Sequence, residues 1–292
     1  MKVAGFTFIR NAVKNDYPIV EAITSVLPLC DEFVVAHGDS SDDTLALINS
    51  IGSNKIRIVQ TVWNADAKEG GRVFAEETDK AFAAVSSDMD WTFYIQGDEC
   101  VHEKYHEIIY SEMQAALLKP EIEGLLFKYR HFYGSYDYFG DSRKWYRREV
   151  RIVRNDKSVH SYRDAQGFRW NGRKLRVKLI DAYIYHYGWV KPPHGLVKKL
   201  VNFNLYYDKK AIDRPVLETE EFDYGNAERL VKFTETHPKV MQPRVNAVNW
   251  SFKFDPTKVK STQSLRRQIL QRIYELTGIR IGEYRNYKII KR

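Results

Sequence analysis

Two adjacent carboxylates, Asp98 and Glu99, close the segment YIQGDE at 94–99, directly after an apolar run that reads as a strand. Hard divalent cations such as Mg2+ and Mn2+ take oxygen ligands, and a cation held there can grip a diphosphate through the diphosphate's own oxygens. The same pair also suits the start of a following helix, where the N-terminal dipole favours negative charge. A second polar cluster, AHGDSSDDT at 36–44, again follows a strand pattern and contains His37, Gly38 and Asp39. Its polar groups and Gly38 can receive a nucleoside, while Ser41 or Asp42 caps the helix beyond. A third, IYHYGWVKPPH at 184–194, sets His186 between two tyrosines. A lone histidine there is either a ligand or a core residue with its nitrogens hydrogen-bonded. Lys191, Lys198 and Lys199 follow on the same edge, either to neutralise phosphate or as a solvated helix face.

These groups act together only if the fold gathers them. Residues 2–9 alternate as a strand, and 17–27 place Ile19, Ile23, Val26 and Leu27 on one helical face, with Asp16 suited to the N-cap. Strands at 32–36, 55–59, 91–95 and 124–129 then alternate with helices at 42–51, 72–85 and 104–118. Repeated strand-helix order predicts an α/β fold, a mostly parallel twisted sheet flanked by helices, because parallel neighbours need crossover connections. Ligands collect beyond the carboxyl ends of such strands, where 36–44 and 94–99 fall.

After Tyr129 the chain turns aromatic and basic, HFYGSYDYFGDSRKWYRREVRIVRN, and reads as an inserted lobe whose rings, including Trp145 and Tyr146, suit an acceptor wall. Further strands are predicted at 148–153 and 182–185 and a helix at 196–207. The expected organisation is a catalytic unit over 1–208, with a nucleotide-binding half at 1–129 and an acceptor half at 130–208. A helical, basic C-terminal extension covers 209–292. In its last amphipathic segment, 265–276, Leu265, Ile269, Ile273 and Leu276 share one face, expected to pack on the body, with peripheral membrane contact as the alternative.

Composition narrows the class. Of 292 residues, 43% are hydrophobic and 14% aromatic, enough to build a core and to exclude a disordered chain. Cys30 and Cys100 are too few for a disulfide framework and lack CxxC spacing, which fits a reducing compartment. No secretory signal and no apolar run of about 18 residues is present, so the expected location is cytoplasmic, at most peripheral at the inner face of a membrane. Residues 1–127 carry 10 Lys+Arg against 21 Asp+Glu, and the remainder 36 against 17. That asymmetry suits a nucleic-acid arm, anionic lipid, or basic groups that receive phosphates. Nucleic acid is disfavoured, because acids at two strand ends repel a phosphate backbone unless a cation intervenes. There is no P-loop, G-x-S-x-G or H-E-x-x-H, and FIRNAVKND lacks the Gly-rich basic loop of nucleotidyltransferases.

The order FIRNAVKNDYPIVEAITSVLPLCDEFVVAHGDSSDDTLALI, followed by DWTFYIQGDECV, resembles family 2 of the glycosyltransferases, over roughly 1–189. The resemblance implies a GT-A fold and transfer of a sugar from a nucleoside-diphosphate sugar donor to a hydroxyl of a glycan or lipid-linked glycan. It maps Arg10, Asn11, His37, Gly38 and Asp39 onto the nucleotide positions and places the helix bearing Arg72 beside them. Gln96, Gly97, Asp98 and Glu99 match the family's D-x-D-E, with Gln in place of the first acid. Asp98 is then the metal carboxylate, supported by Glu99 and completed by His186, with Mn2+ or Mg2+ as cofactor and Lys191 beside the diphosphate. Asp164, in SYRDAQGFRW, matches the catalytic base that takes the acceptor proton during inverting attack; a structural pairing with Arg163 or Arg169 is the alternative.

Overall fold

The computed structural model describes residues 1–290 except 65, 68, 208, 209, 211–215, 218–221, 223, 225–228, 253 and 255–263. The elements in chain order are β1 Val3–Ile9, α1 Ile19–Val26, β2 Glu32–His37, α2 Thr44–Asn49, β3 Ile56–Gln60, α3 Arg72–Ala83, β4 Trp91–Tyr94, β5 Glu99–Val101, α4 His106–Leu117, β6 Gly124–Tyr133, β7 Ser135–Gly140 and β8 Arg148–Arg154. There follow β9 Val159–Tyr162, β10 Gly167–Trp170, β11 Arg173–Lys174, β12 Arg176–Trp189, α5 Pro193–Asn204, β13 Leu230–Lys232, α6 Gln242–Asn246, α7 Leu265–Thr277 and β14 Lys288–Ile289. Among the described residues, eleven strands form one sheet and β9, β10 and β11 a small second one.

The expected α/β architecture holds. Strands β3, β2, β1 and β4 lie side by side and parallel. Antiparallel β8 then bridges β4 to β6, and β6 continues in parallel to the long β12. Strand β1 reads VAGFTFI because it is covered on both faces, which removes the polar alternation of a half-exposed strand. Val3 and Ile9 face the core with Ile19 and Ile23 of α1 and Ile109 and Met113 of α4. Ala4 and Phe6 face the other way, onto Ala81 and Phe82 of α3 and onto Phe168.

Local differences from the sequence reading have physical causes. Asp16 is not the cap of α1: it sits at φ +48°, its carboxylate 2.7 Å from Arg244, and Pro18 precedes the helix without a side-chain cap. Asp42 does serve the start of α2, accepting from the Thr44 N–H at 3.1 Å. The stretch beyond 208 carries α6 and α7 and also adds strands, β13 pairing with β7 and β14 with β12. Phe132 and Tyr136, read as acceptor-wall rings, instead build a core with Tyr185, Tyr187 and Phe233, because β6 and β12 bring their rings onto the same side.

Gly5 marks a close approach between neighbouring parallel strands. A Cβ there would lie 2.2 Å from the Phe33 ring of β2. Overpacking a buried site of this kind costs about 1–3 kcal/mol. Gly5→Ala is therefore expected to lower the unfolding free energy by that amount in urea titration, without altering the far-ultraviolet dichroism of the folded protein.

Candidate functional site

A cavity of about 440 Å³ opens at the carboxyl ends of the parallel strands, lined among others by Arg10 and Asn11 after β1, Asp39 after β2 and Trp63 after β3. Arg10 organises it: the guanidinium pairs with Asp39 at 3.0 Å, donates to the Tyr206 hydroxyl at 3.1 Å and lies 5.6 Å from the Trp63 ring centre. Asn11, at φ +53°, receives the Ser41 N–H on its side-chain oxygen at 2.8 Å and so ties the two strand ends together. Gly38 lets the Trp63 ring close onto the backbone, since a Cβ there would lie 2.4 Å from its Nε1. That indole N–H is buried and has no protein acceptor. His37 is buried, with Nδ1 2.8 Å from Gln60 Oε1.

The two neighbouring acids have opposite fates. Glu99 begins β5, fully buried, and receives Arg151 through two bonds of 2.8 and 2.9 Å, the Tyr129 hydroxyl at 2.8 Å and the Gln96 N–H at 3.1 Å. Its oxygens are spent, so the expected support of a metal by Glu99 does not fit this arrangement. Asp98 turns the other way, toward Lys199 Nζ at 3.1 Å and His186 Nε2 at 3.7 Å. Burial pushes its carboxyl up, but the Lys199 ammonium beside it outweighs that and holds it well below the usual carboxylate range. A Cβ at Gly188 would lie 2.5 Å from Asp98 Oδ2, so glycine is what leaves this cluster room.

A hydrogen-bond relay fixes the state of His186. The Tyr146 carbonyl can only accept, so His131 Nε2, 2.8 Å away, carries its proton and His131 Nδ1 is the acceptor. His186 Nδ1 lies 3.3 Å from it and must donate, leaving the Nε2 lone pair facing Asp98. Burial lowers the pKa of both imidazoles, consistent with this neutral pair. A carboxylate and an imidazole lone pair converging on one point call for positive charge, which Lys199 supplies here. The same two groups suit Mn2+ or Mg2+ in a reduced form, two protein ligands with the remainder left to phosphate oxygens and water. Among the described residues no cluster of three or more acidic, His or Cys side chains provides more.

Asp164 sits in the turn between β9 and β10, flanked by Arg163 and Ala165, both with positive φ. Its Oδ2 accepts the Tyr207 hydroxyl at 2.7 Å, and it lines a second cavity of about 740 Å³ with Arg72, Asp79, Ser161, Arg163 and Gln166 among others. Gln96, in the place of an acid, is a tether: its amide donates to the Ala165 carbonyl at 3.3 Å, joining the Asp98 loop to the Asp164 turn. Phe203, Tyr206 and Tyr207, at the end of α5 and just beyond it, pack against Phe74 between the two cavities.

The structure thus brings Arg10, Asn11 and Asp39 around one cavity and sets Lys191 and Lys199 over Tyr17 on its lining, with Asp98 beside Lys199 and His186. Arg72 goes to the second cavity instead, paired with Glu76 at 3.2 Å. Gly97 packs on Ile9. Lys191 is buried, its Nζ donating to the Asp16 carbonyl. The sequence reading missed Trp63, Tyr206, Tyr207 and His131. Only His131 carried a signal, sharing the strand phase of Tyr129 and Tyr133.

No family model and no curated protein matches this chain. Among solved structures, S. aureus TarS aligns with 70% of the chain and 39% of its own length at 15% identity, TM-score 0.40. Its 1–349 form aligns with 70% and 64% at 13% identity, TM-score 0.38. Glucosyl-3-phosphoglycerate synthase from Mycobacterium tuberculosis, in complex with Mn2+, UDP and phosphoglyceric acid, aligns with 44% and 43% at 20% identity, TM-score 0.30. The chain spans less than two thirds of the length of each.

Removing one partner of a buried ion pair strands the other charge, typically at about 3–5 kcal/mol. Glu99→Gln leaves the Arg151 guanidinium in that state, so chemical denaturation is expected to show a loss of this size. An unfolding free energy equal to wild type would mean that the carboxylate is not committed to Arg151.

Proposed function

We propose that this chain is a glycosyltransferase that moves a sugar from a nucleoside-diphosphate sugar to an acceptor hydroxyl, with inversion. The observation that carries the reading is the Gln96–Ala165 bond, which holds the Asp98 loop, at the strand-end cavity, against the turn bearing Asp164. A nucleoside suits the cavity of Arg10, Asn11, Asp39 and Trp63, where an indole ring, an unpaired N–H and a guanidinium meet. Its diphosphate then falls toward Lys191 and Lys199. Asp98 and His186 would hold a divalent cation, which when bound offsets charge on the leaving diphosphate. His131 positions His186 by fixing its tautomer. Asp164 takes the proton of the acceptor hydroxyl, in the larger cavity, once Tyr207 releases it. A glycan or lipid-linked glycan is the proposed acceptor, and the proposed site of action is the cytoplasm.

Thermal-shift screening of nucleoside-diphosphate sugars with Mn2+, with Mg2+ and after chelation tests the donor and the cation together. Asp164→Asn is expected to abolish transfer while leaving UDP binding within about twofold of wild type, as for a group engaged only when the acceptor reacts. Substantial turnover by that variant would refute the assignment. Loss of the relay in His131→Phe is expected to weaken Mn2+ binding in the presence of UDP by about 10- to 100-fold, read by titration calorimetry.

Lys191 gives a pH signature. Burial, reinforced by Lys199, lowers its pKa to about 7. An arriving diphosphate restores the ammonium, so binding at about pH 8 takes up a proton and binding at about pH 6, where the lysine is already charged, does not. Calorimetry in buffers of different ionisation enthalpy measures that uptake, and Lys191→Met should remove it.

A further inference from the structure

Helix α7 is attached to the body by its polar side. Gln271 Oε1 accepts the Arg143 N–H at 3.2 Å, the Tyr274 hydroxyl donates to Asp141 Oδ1 at 3.2 Å, Glu275 pairs with Arg229, and the Gly278 carbonyl accepts from Arg147 at 3.3 Å. These positions recur every three or four residues and define the inward face. Leu265, Ile269 and Leu276 lie on the other face and are 78%, 61% and 86% exposed. Ile279 and Ile281 prolong the exposed aliphatic surface past the helix end. The sequence expectation that the apolar face packs inward is thereby reversed: the polar contacts outcompete it for the body.

Basic residues outnumber acids along this segment. The only acids at 265–290 are Glu275 and Glu283, and both turn inward, Glu283 onto Arg147 at 2.9 Å. Arg266, Arg267 and Lys288 are exposed, as are Arg272 and Arg285, which also reach Glu275 and Glu283 at 3.7 Å. We propose that α7 and the segment after it dock on an anionic lipid surface, the aliphatic side chains entering the headgroup boundary and the arginines reaching lipid phosphates. A second copy of the chain fits less well. Symmetric pairing would set like charges against one another, and a stripe about 16 Å long falls well short of the roughly 800 Å² per partner of a stable interface.

The surface leads to the larger cavity. Past Ile281, the Tyr284 ring centre is 5.5 Å from the Arg163 guanidinium, and Arg163 lines the cavity with Asp164. Docking would turn that rim toward the bilayer, the position from which a lipid-linked acceptor is reached; this last point rests on the proposed transfer, whereas membrane docking itself does not.

Flotation of the full chain with phosphatidylcholine vesicles, and with vesicles containing about one third phosphatidylglycerol, tests the proposal without donor or acceptor. Recovery with the anionic vesicles is expected to exceed that with neutral ones about tenfold and to fall as salt is raised. The triple variant Leu265→Gln, Ile269→Gln, Leu276→Gln should lose vesicle binding while keeping the wild-type thermal midpoint and its shift with UDP. Equal, negligible recovery of wild type on both vesicles overturns the proposal, as does unchanged binding by the triple variant. So does a dimer in sedimentation equilibrium, without vesicle binding, that the same substitutions dissociate; the occupant is then a second copy. A UDP thermal shift on protein without vesicles reports separately on the nucleotide site.

Discussion

The buried pair between Glu99 and Arg151 is the constraint from which the site's geometry follows. Two charges withdrawn from water are tolerable only when their remaining hydrogen-bonding capacity is met, and here the carboxylate has the guanidinium fork, the Tyr129 hydroxyl and a backbone N–H. Arg151 rises from β8 and Glu99 opens β5, so the pair locks the connection after β4 against the strands beside it. With Glu99 fixed inward, Asp98 in the tight turn before it faces Lys199 and His186 instead. The Tyr187 N–H, bonded to the Asp98 carbonyl at 2.8 Å, holds the loop from its other flank.

From that orientation the electrostatics of the cleft develop in sequence. Glu99, His186 and His131 occupy one row across β5, β12 and β6, so the relay that fixes the His186 tautomer is a property of sheet register. A slip in the β6–β12 ladder would separate the imidazoles and leave His131 Nδ1 without its donor. Lys199 balances the charge Asp98 presents, and Gly188 keeps space for all three side chains. The cleft thus holds a preformed site for positive charge next to an aromatic cavity, with its counter-ion supplied from α5.

That helix and the residues after it also separate the two cavities. Phe203, Tyr206 and Tyr207 stand between the pocket at Arg10 and the pocket at Asp164, and Tyr206 and Tyr207 bond to those two residues respectively. One short segment therefore touches both cavities. Arg163 on the lining of the larger cavity also meets Tyr284, in the segment after α7.

The strand-helix alternation was legible because a strand buried on both faces must be continuously apolar, as in VAGFTFI, and a helix must repeat its apolar positions every three or four residues. The gathering of Arg10, Asn11 and Asp39 was legible for the same reason: parallel strands send their carboxyl ends to one edge. What the sequence could not divide was the work of Asp98 and Glu99, identical in charge and adjacent, because the choice between ligand and core ion pair was made by Arg151, 52 positions from Glu99. The partnership of His131 with His186 depended on register, and the outward turn of α7's aliphatic face on hydrogen bonds offered by residues at 141, 143 and 147. Local pattern determines which element forms and which face it could bury; only the packed chain determines which distant group meets a charge, because pairing depends on distances in space that spacing along the sequence does not encode.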